Sequence, residues 1–412
     1  MTIPAEGQGA QRAGFDPRAM VLWFIGSLLS GLGRFSIRFA NPLGALSILG
    51  VVVAALALAA LRPVHAWDQI AYLGAAWRDL YPEPADLHAR VYEAVRLGVT
   101  PEEFAALSEG DTYRLRQSTD PLAFQSMLGM YAVKWLYVKS ISLLAPSTGA
   151  LGAALAVNIG AAAVFAGVLL WWLRAVEMLN LGPTVVALLL LCGFPAMAMA
   201  ETPDLLASAF ILAAFLFLDR GMAAAGVAAL VLGVLTRPDQ AASAGVLMAF
   251  FWLMRDRQAP ALAAGFAASV VAYVFTSHGS GHPGWWPHLW FSTYQIQVTM
   301  EFFEPAFSLA VYVQAFAWNL VRAAFENAWL GLYLALIILW AVLHAGGLRF
   351  SDRRTALIGA ALTAIAAKFI LFPLHDGRTV FPLLFPALLL MLASARDAAR
   401  KSAGQALQDF TS

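Results

Sequence analysis

The chain has 412 residues, of which 60% are hydrophobic and 12% charged, and its mean hydropathy is +0.70. Soluble domains carry about 25% charged residues, so the composition excludes one and points to an integral membrane protein. The formal net charge of +1 leaves no basic excess to neutralise phosphates, which excludes nucleic acid as a partner.

The chain opens with MTIPAEGQGAQRAGFDPRA, which lacks a basic stretch followed by an apolar core and a cleavage site, so no cleaved signal peptide is expected. Residues 19–33 (AMVLWFIGSLLSGLG) are short and Gly-rich, and suggest an interfacial helix within a cytoplasmic segment, 1–42. A bilayer core takes about 20 apolar residues of helix. Such runs lie near 43–61, 149–173, 182–200, 203–219, 222–236, 239–254, 259–275, 326–345, 355–372 and 379–395. The fold class expected is therefore an all-α polytopic membrane protein of about ten transmembrane helices, filling residues 43–400, with a short cytoplasmic tail, 401–412. The single cysteine, Cys192, lies in an apolar run and permits no intrachain disulfide.

Residues 122–145 (LAFQSMLGMYAVKWLYVKSISLLA) are long enough to span, but Lys134 and Lys139 sit in their middle. Counting this segment as a span reverses the sidedness of every later loop. If it lies on the surface, the cytoplasmic turns carry Arg174, Arg220, Arg255, Arg257, Arg349, Arg353, Arg354, Arg396, Arg400 and Lys401. The opposite loops after residue 148 then hold only Arg237, Arg322 and Arg378, with Lys368 inside a helix. The positive-inside rule favours that arrangement, and each intramembrane lysine costs on the order of 3 kcal/mol. Residues 122–145 are accordingly expected as an interfacial helix. Two long non-cytoplasmic loops follow, 62–148 and 276–325, together with the turns at 201–204, 236–239 and 375–378.

Nearly all the unusual polar residues fall on that side. AWDQIAYLGAAW (66–77) presents Asp68 between Trp67 and Gln69, with Tyr72 four residues on, directly after a membrane run. Asp68 reads either as a helix cap or as a catalytic carboxylate held at the membrane surface. ETPDLLASA (201–209) and TRPDQAASA (236–244) share a Pro-Asp start and the same Ala-Ser-Ala. Pro and Asp also open ordinary helices, so for Asp204 and Asp239 the structural and functional readings stand level. In HDGRTVFPLLFP (375–386), Arg378 opposes both the positive-inside rule and the helix dipole, a placement tolerated beside a carboxylate or a phosphate. His278, His282 and His288 in SHGSGHPGWWPHLWFSTYQ match no zinc spacing, and no metal is expected. PEPADLHARVYEAVRLGVTPEEFAALSEG reads as short amphipathic helices, with TPEE as an N-terminal signal. No phosphate-binding glycine loop, Gly-x-Ser-x-Gly or His-Glu-x-x-His motif occurs, so no nucleotide-sugar site or cofactor is expected.

The pattern resembles the GT-C superfamily of integral-membrane glycosyltransferases, which includes protein O-mannosyltransferases and lipid A aminoarabinose transferases. Asp68-Gln69-Ile70-Ala71-Tyr72 is similar to that family's Asp-Glu-x-x-Tyr, with Gln in place of Glu. DPLAFQSMLGMYAVKWLY (120–137) resembles its Pro-rich interfacial helix. TPDLL, Thr236-Arg237 and the run Arg378…Pro382…Pro386 resemble its later external turns. The resemblance implies inverting transfer of a sugar from a polyprenyl-phosphate sugar to a hydroxyl of a glycan, lipid or protein acceptor, at the outer face of a bacterial inner membrane. It implies Asp68 as general base, with Tyr72, Lys134, Asp204, Arg237, Asp239, His375 and Arg378 binding substrate. Two other readings stand beside it: a non-catalytic subunit that has kept the fold, and an ion- or proton-coupled transporter lined by the acids.

Overall fold

The computed structural model describes residues 17–63 and 65–411, so the first sixteen residues of the N-terminal segment lie outside the described residues. Two helices open the chain: α1 (Pro17–Arg38) and α2 (Ala40–Leu61). Six short ones follow: α3 (Trp67–Trp77), α4 (Pro84–Gly98), α5 (Pro101–Glu109), α6 (Thr112–Thr119), α7 (Pro121–Ala132) and α8 (Trp135–Thr148). Then come α9 (Ala150–Ala175), α10 (Gly182–Leu191), α11 (Phe194–Met199), α12 (Asp204–Asp219), α13 (Ala223–Thr236), α14 (Gln240–Leu253) and α15 (Ala259–His278). The chain closes with α16 (Trp285–Thr293), α17 (Leu309–Phe325), α18 (Trp329–Ala345), α19 (Asp352–Leu371) and α20 (Phe381–Thr411). The described residues contain no strand.

Among the described residues, five helices are long and apolar enough to cross a bilayer: α2, α9, α15, α19 and the apolar part of α20. α17 and α18 qualify together as a sixth, bent by 79° at the break between them. The other apolar runs read from sequence fold as shorter helices. The run 182–200 is divided where Gly193 turns left-handed (φ +83°), a conformation that costs a residue with a side chain roughly 1–2 kcal/mol. α12, with 16 residues, is about 24 Å long. It is buried almost throughout, packed on α9, α13 and α20.

Residues 62–148 have a hydrophobic core of their own. Trp67, Ile70 and Leu73 of α3 meet Leu87 and Val91 of α4, Phe124 and Met127 of α7, Tyr137 and Ile141 of α8, and Ala153 at the start of α9. The segment 122–145, expected as one interfacial helix, is two helices that break at Val133–Lys134, so the structure contains no continuous span there. The break lets α7 and α8 each pack on α3 while Lys134 sits at the junction. TPEE forms the capping box it signals: the Thr100 hydroxyl accepts from the Glu103 amide (3.2 Å), and the Glu103 carboxylate accepts from the Thr100 amide (2.9 Å). The second core runs through the bundle, from α2 and α9 across α12 to α19 and α20. Leu206 packs against both. Within 276–325, expected as a loop, most residues are helical, in the end of α15, α16 and α17.

Candidate functional site

Asp68 lies in the first turn of α3, after Ala66, an extended residue with no side chain to cap the helix. Its carboxylate accepts a hydrogen bond from the Tyr131 hydroxyl of α7 (2.9 Å) and is half-buried. Tyr72, one helical turn along, is buried edge-to-face between Tyr131 (5.1 Å) and Tyr137 (5.0 Å). Burial pushes the Tyr72 hydroxyl well above its ordinary pKa, and the charges of Asp68 and Asp204 act the same way. Tyr72 is thus the ring around which the acids gather.

The turns before α12 and α14, and the turn before α20, supply the rest. Asp204 is 2% exposed; it accepts from the Thr202 hydroxyl (2.6 Å), pairs with Arg237, and lies 3.6 Å from Arg378. Asp239 pairs with Arg237 (2.9 Å) and with Lys368 of α19 (2.6 Å). Neither carboxylate makes a side-chain cap hydrogen bond to its helix. Their role is therefore in the ion-pair chain rather than in helix capping. Arg378 is held by Asp376, at 2.7 Å through Nε and 2.5 Å through Nη2. The carboxylate alternative for Arg378 is thus realised, with Asp376 and Asp204 as its partners. Six charges alternate in sign through this chain: Asp376, Arg378, Asp204, Arg237, Asp239 and Lys368.

Lys134 joins the halves. Burial lowers its ammonium to about 8, the neighbouring Arg237 charge adds to that, and Asp68, Asp239 and Asp204 oppose it. It donates to the Met130 carbonyl and lies 5.2 Å over the Tyr131 ring. Among the described residues no carboxylate lies within ion-pair distance of it. His282, which burial and the Lys134 charge push down to about 4, shares a hydrogen bond with His288 (2.8 Å). That loop is pressed against α7 where Gly129 meets the Gly281 carbonyl, a contact closed to any side chain. His278 is exposed at the end of α15.

Of the residues expected from the sequence, Asp68, Tyr72, Lys134, Asp204, Arg237, Asp239 and Arg378 come together. His375 does not. Its ring faces Asn319 (3.0 Å) and Glu326 (3.6 Å), and its carbonyl accepts from the Trp329 indole, which ties α17 and α18 to the turn before α20. Several members were not singled out from sequence. Tyr131 orients Asp68, and Lys368 is a lone lysine in an apolar helix, itself a signal of a polar partner. Gln69, where the resembling motif has Glu, donates to the buried carboxylate of Glu201 and bonds His65 (2.9 Å). Burial raises Glu201 to about 7. The Glu201 carboxylate is thus brought against the Gln69 amide from 132 positions later in the chain.

No protein-family model, curated protein or solved structure matches this chain. The reading of the site rests on its geometry and chemistry. These offer a half-exposed carboxylate with a fixed orientation, a cation without a carboxylate partner beside it, and a buried ion-pair chain that holds both in place.

Proposed function

We propose that the chain is a GT-C-type inverting glycosyltransferase that moves a sugar from a polyprenyl-phosphate sugar to an acceptor hydroxyl. In this reading about ten helices cross the inner membrane of a bacterium, with residues 62–148 outside the cytoplasm. The shorter helices α12, α13 and α14 cross as part of the bundle, with α12 buried almost throughout. The observation that carries the proposal is Asp68, half-exposed and fixed by Tyr131, in the electrostatic reach of Lys134.

The chemistry follows from those groups. Asp68 accepts the proton of the acceptor hydroxyl as its oxygen bonds to the anomeric carbon from the face opposite the phosphate. The bond between that carbon and the phosphate oxygen breaks, and its electron pair leaves with the lipid phosphate. Lys134 and Arg237 are the cations best disposed towards that developing charge, since each lowers the cost of placing an anion beside the other. Arg378 contributes by exchanging part of its hold on Asp376 and Asp204 for a phosphate oxygen, which its planar fork can grip in two places.

The test is transfer of labelled sugar from polyprenyl-phosphate donors to hydroxyl acceptors by the purified protein. Asp68→Asn keeps the shape and the Tyr131 contact but cannot take a proton, and should lower the rate by about 10²–10⁴ with carrier binding retained. A variant as active as the parent removes Asp68 from the mechanism.

A further inference from the structure

At the end of the bundle away from Asp68 lies a cavity of about 640 Å³ lined by Arg174, Arg396, Arg400, Glu177, Asn41 and Asn180. Its position follows from two long helices. α9 begins beside the candidate site, where the Asn158 amide bonds the Ala200 carbonyl (2.7 Å) just before Glu201, and it carries Arg174 in its last turn. α20 begins three residues after Arg378 and reaches Arg396 about 22 Å further along.

Elsewhere at this end Arg353 pairs with Asp256, and Arg354 with Asp219 and Asp397. In the cavity the balance is basic. Three guanidiniums face one carboxylate, Glu177, which is taken by Arg400 (2.5 Å). Arg396 donates to the Val176 carbonyl, and the Arg174 guanidinium has no hydrogen-bond or ion-pair partner among the described residues. Glu177 itself is held left-handed (φ 55°), a strained conformation for a residue with a side chain, at the cavity's edge. The two asparagines stand on a rigid frame, because Gly44 of α2 and Gly182 are in backbone contact with each other and Gly44 also meets the Leu179 carbonyl. α1, with Leu22, Trp23, Phe24 and Leu29 exposed, runs directly into α2 at this point, which sets the cavity at the depth of lipid headgroups.

We propose that this cavity binds the phosphate-bearing headgroup of an anionic phospholipid. Guanidinium forks take the phosphate oxygens, and the asparagine amides take the hydroxyls of the headgroup. The cavity is open to its surroundings, with Asn41, Arg174, Glu177, Asn180 and Arg400 exposed, so a headgroup reaches it directly. The inference is independent of the glycosyltransferase reading.

The full chain is purified in detergent, incubated with phosphatidylglycerol or phosphatidylcholine, and washed; retained lipid is then counted by native mass spectrometry. Wild-type protein should hold phosphatidylglycerol and not phosphatidylcholine. Arg174→Gln combined with Arg400→Gln should lower that retention about tenfold or more, with an unchanged elution profile and helix content. Competition with millimolar inorganic phosphate separates the sources. Displacement assigns recognition to the phosphate group alone, and resistance assigns it to the whole lipid; both keep the anion site. Equal retention of the two lipids, or of phosphatidylglycerol by both proteins, overturns the proposal.

Discussion

Replacing Arg237 by Met removes the centre of the ion-pair chain and leaves its volume nearly filled. Asp204, with a side chain 3% exposed, then keeps only the Thr202 hydroxyl and the Arg378 guanidinium at 3.6 Å. Asp239 is one-third exposed and retains Lys368, so the penalty concentrates on Asp204. Stripping a buried charge of its partner costs about 3–5 kcal/mol, which lowers a melting temperature by roughly 3–6 °C in a chain of this size. Adding Asp204→Asn removes the stranded charge and should restore about 1–3 kcal/mol of that loss, because residues in one network couple strongly. Thermal unfolding in detergent, followed by intrinsic tryptophan fluorescence, gives the four corners of the cycle. Sugar transfer should stay low in the double variant even as stability returns. A single variant that melts with the parent, or a double variant no more stable than the single, refutes the argument that this chain is held by charge pairing.

Burial places the Glu201 carboxyl near 7, above its ordinary 4.5. The folded protein thus holds that proton more tightly than the unfolded chain, and stability falls as pH rises from about 4.5 to 7. Glu201→Gln should flatten this part of the stability profile; an unchanged profile removes Glu201 as its source. Gly129→Ala adds a methyl against the Gly281 backbone, an overpacking that should cost about 1–3 kcal/mol and displace the His282 loop, checked by melting and transfer rate on one sample. Wild-type values for both would mean that this contact carries no load. Exposed positions Ala105 and Ser147, changed to Cys in a Cys192→Ser background, should both react with an impermeant thiol reagent in intact cells. Protection of Ser147→Cys alone would overturn the proposed sidedness.

The helical class and most of the site were legible because charge is scarce in an apolar chain. Where only 12% of residues are charged, Asp68, Asp204, Arg237, Asp239 and Arg378, placed at turns on one inferred side, have few partners but each other. The pairings themselves were not legible. Asp239 finds Lys368 and Gln69 finds Glu201 across long stretches of chain, and nothing local in either residue specifies its partner. Nor was the direction of His375 legible: it lies three residues before Arg378, but its ring turns to Asn319 and Glu326 while Arg378 turns to Asp376. Span lengths were misjudged for a physical reason as well. Apolar runs such as 182–200 record hydropathy alone, which does not register a break: Gly193 turns left-handed between α10 and α11 although the residues around it are as apolar as those of a continuous helix.

The two separate hydrophobic cores have a mechanical consequence. Asp68 and Lys134 stand on helices organised around one, whereas Asp204, Arg237, Asp239, Lys368 and Arg378 border the other. The candidate site therefore lies along a seam between two packed blocks, joined by the side chain of Leu206, by α9, which contributes to both, and by the packing of α8 on α13. Small rotations of one block against the other would change the gap between proton acceptor and cations without disturbing the interior packing of either. A bulky amphiphile could enter by parting the seam, and its departure would let the two faces meet again.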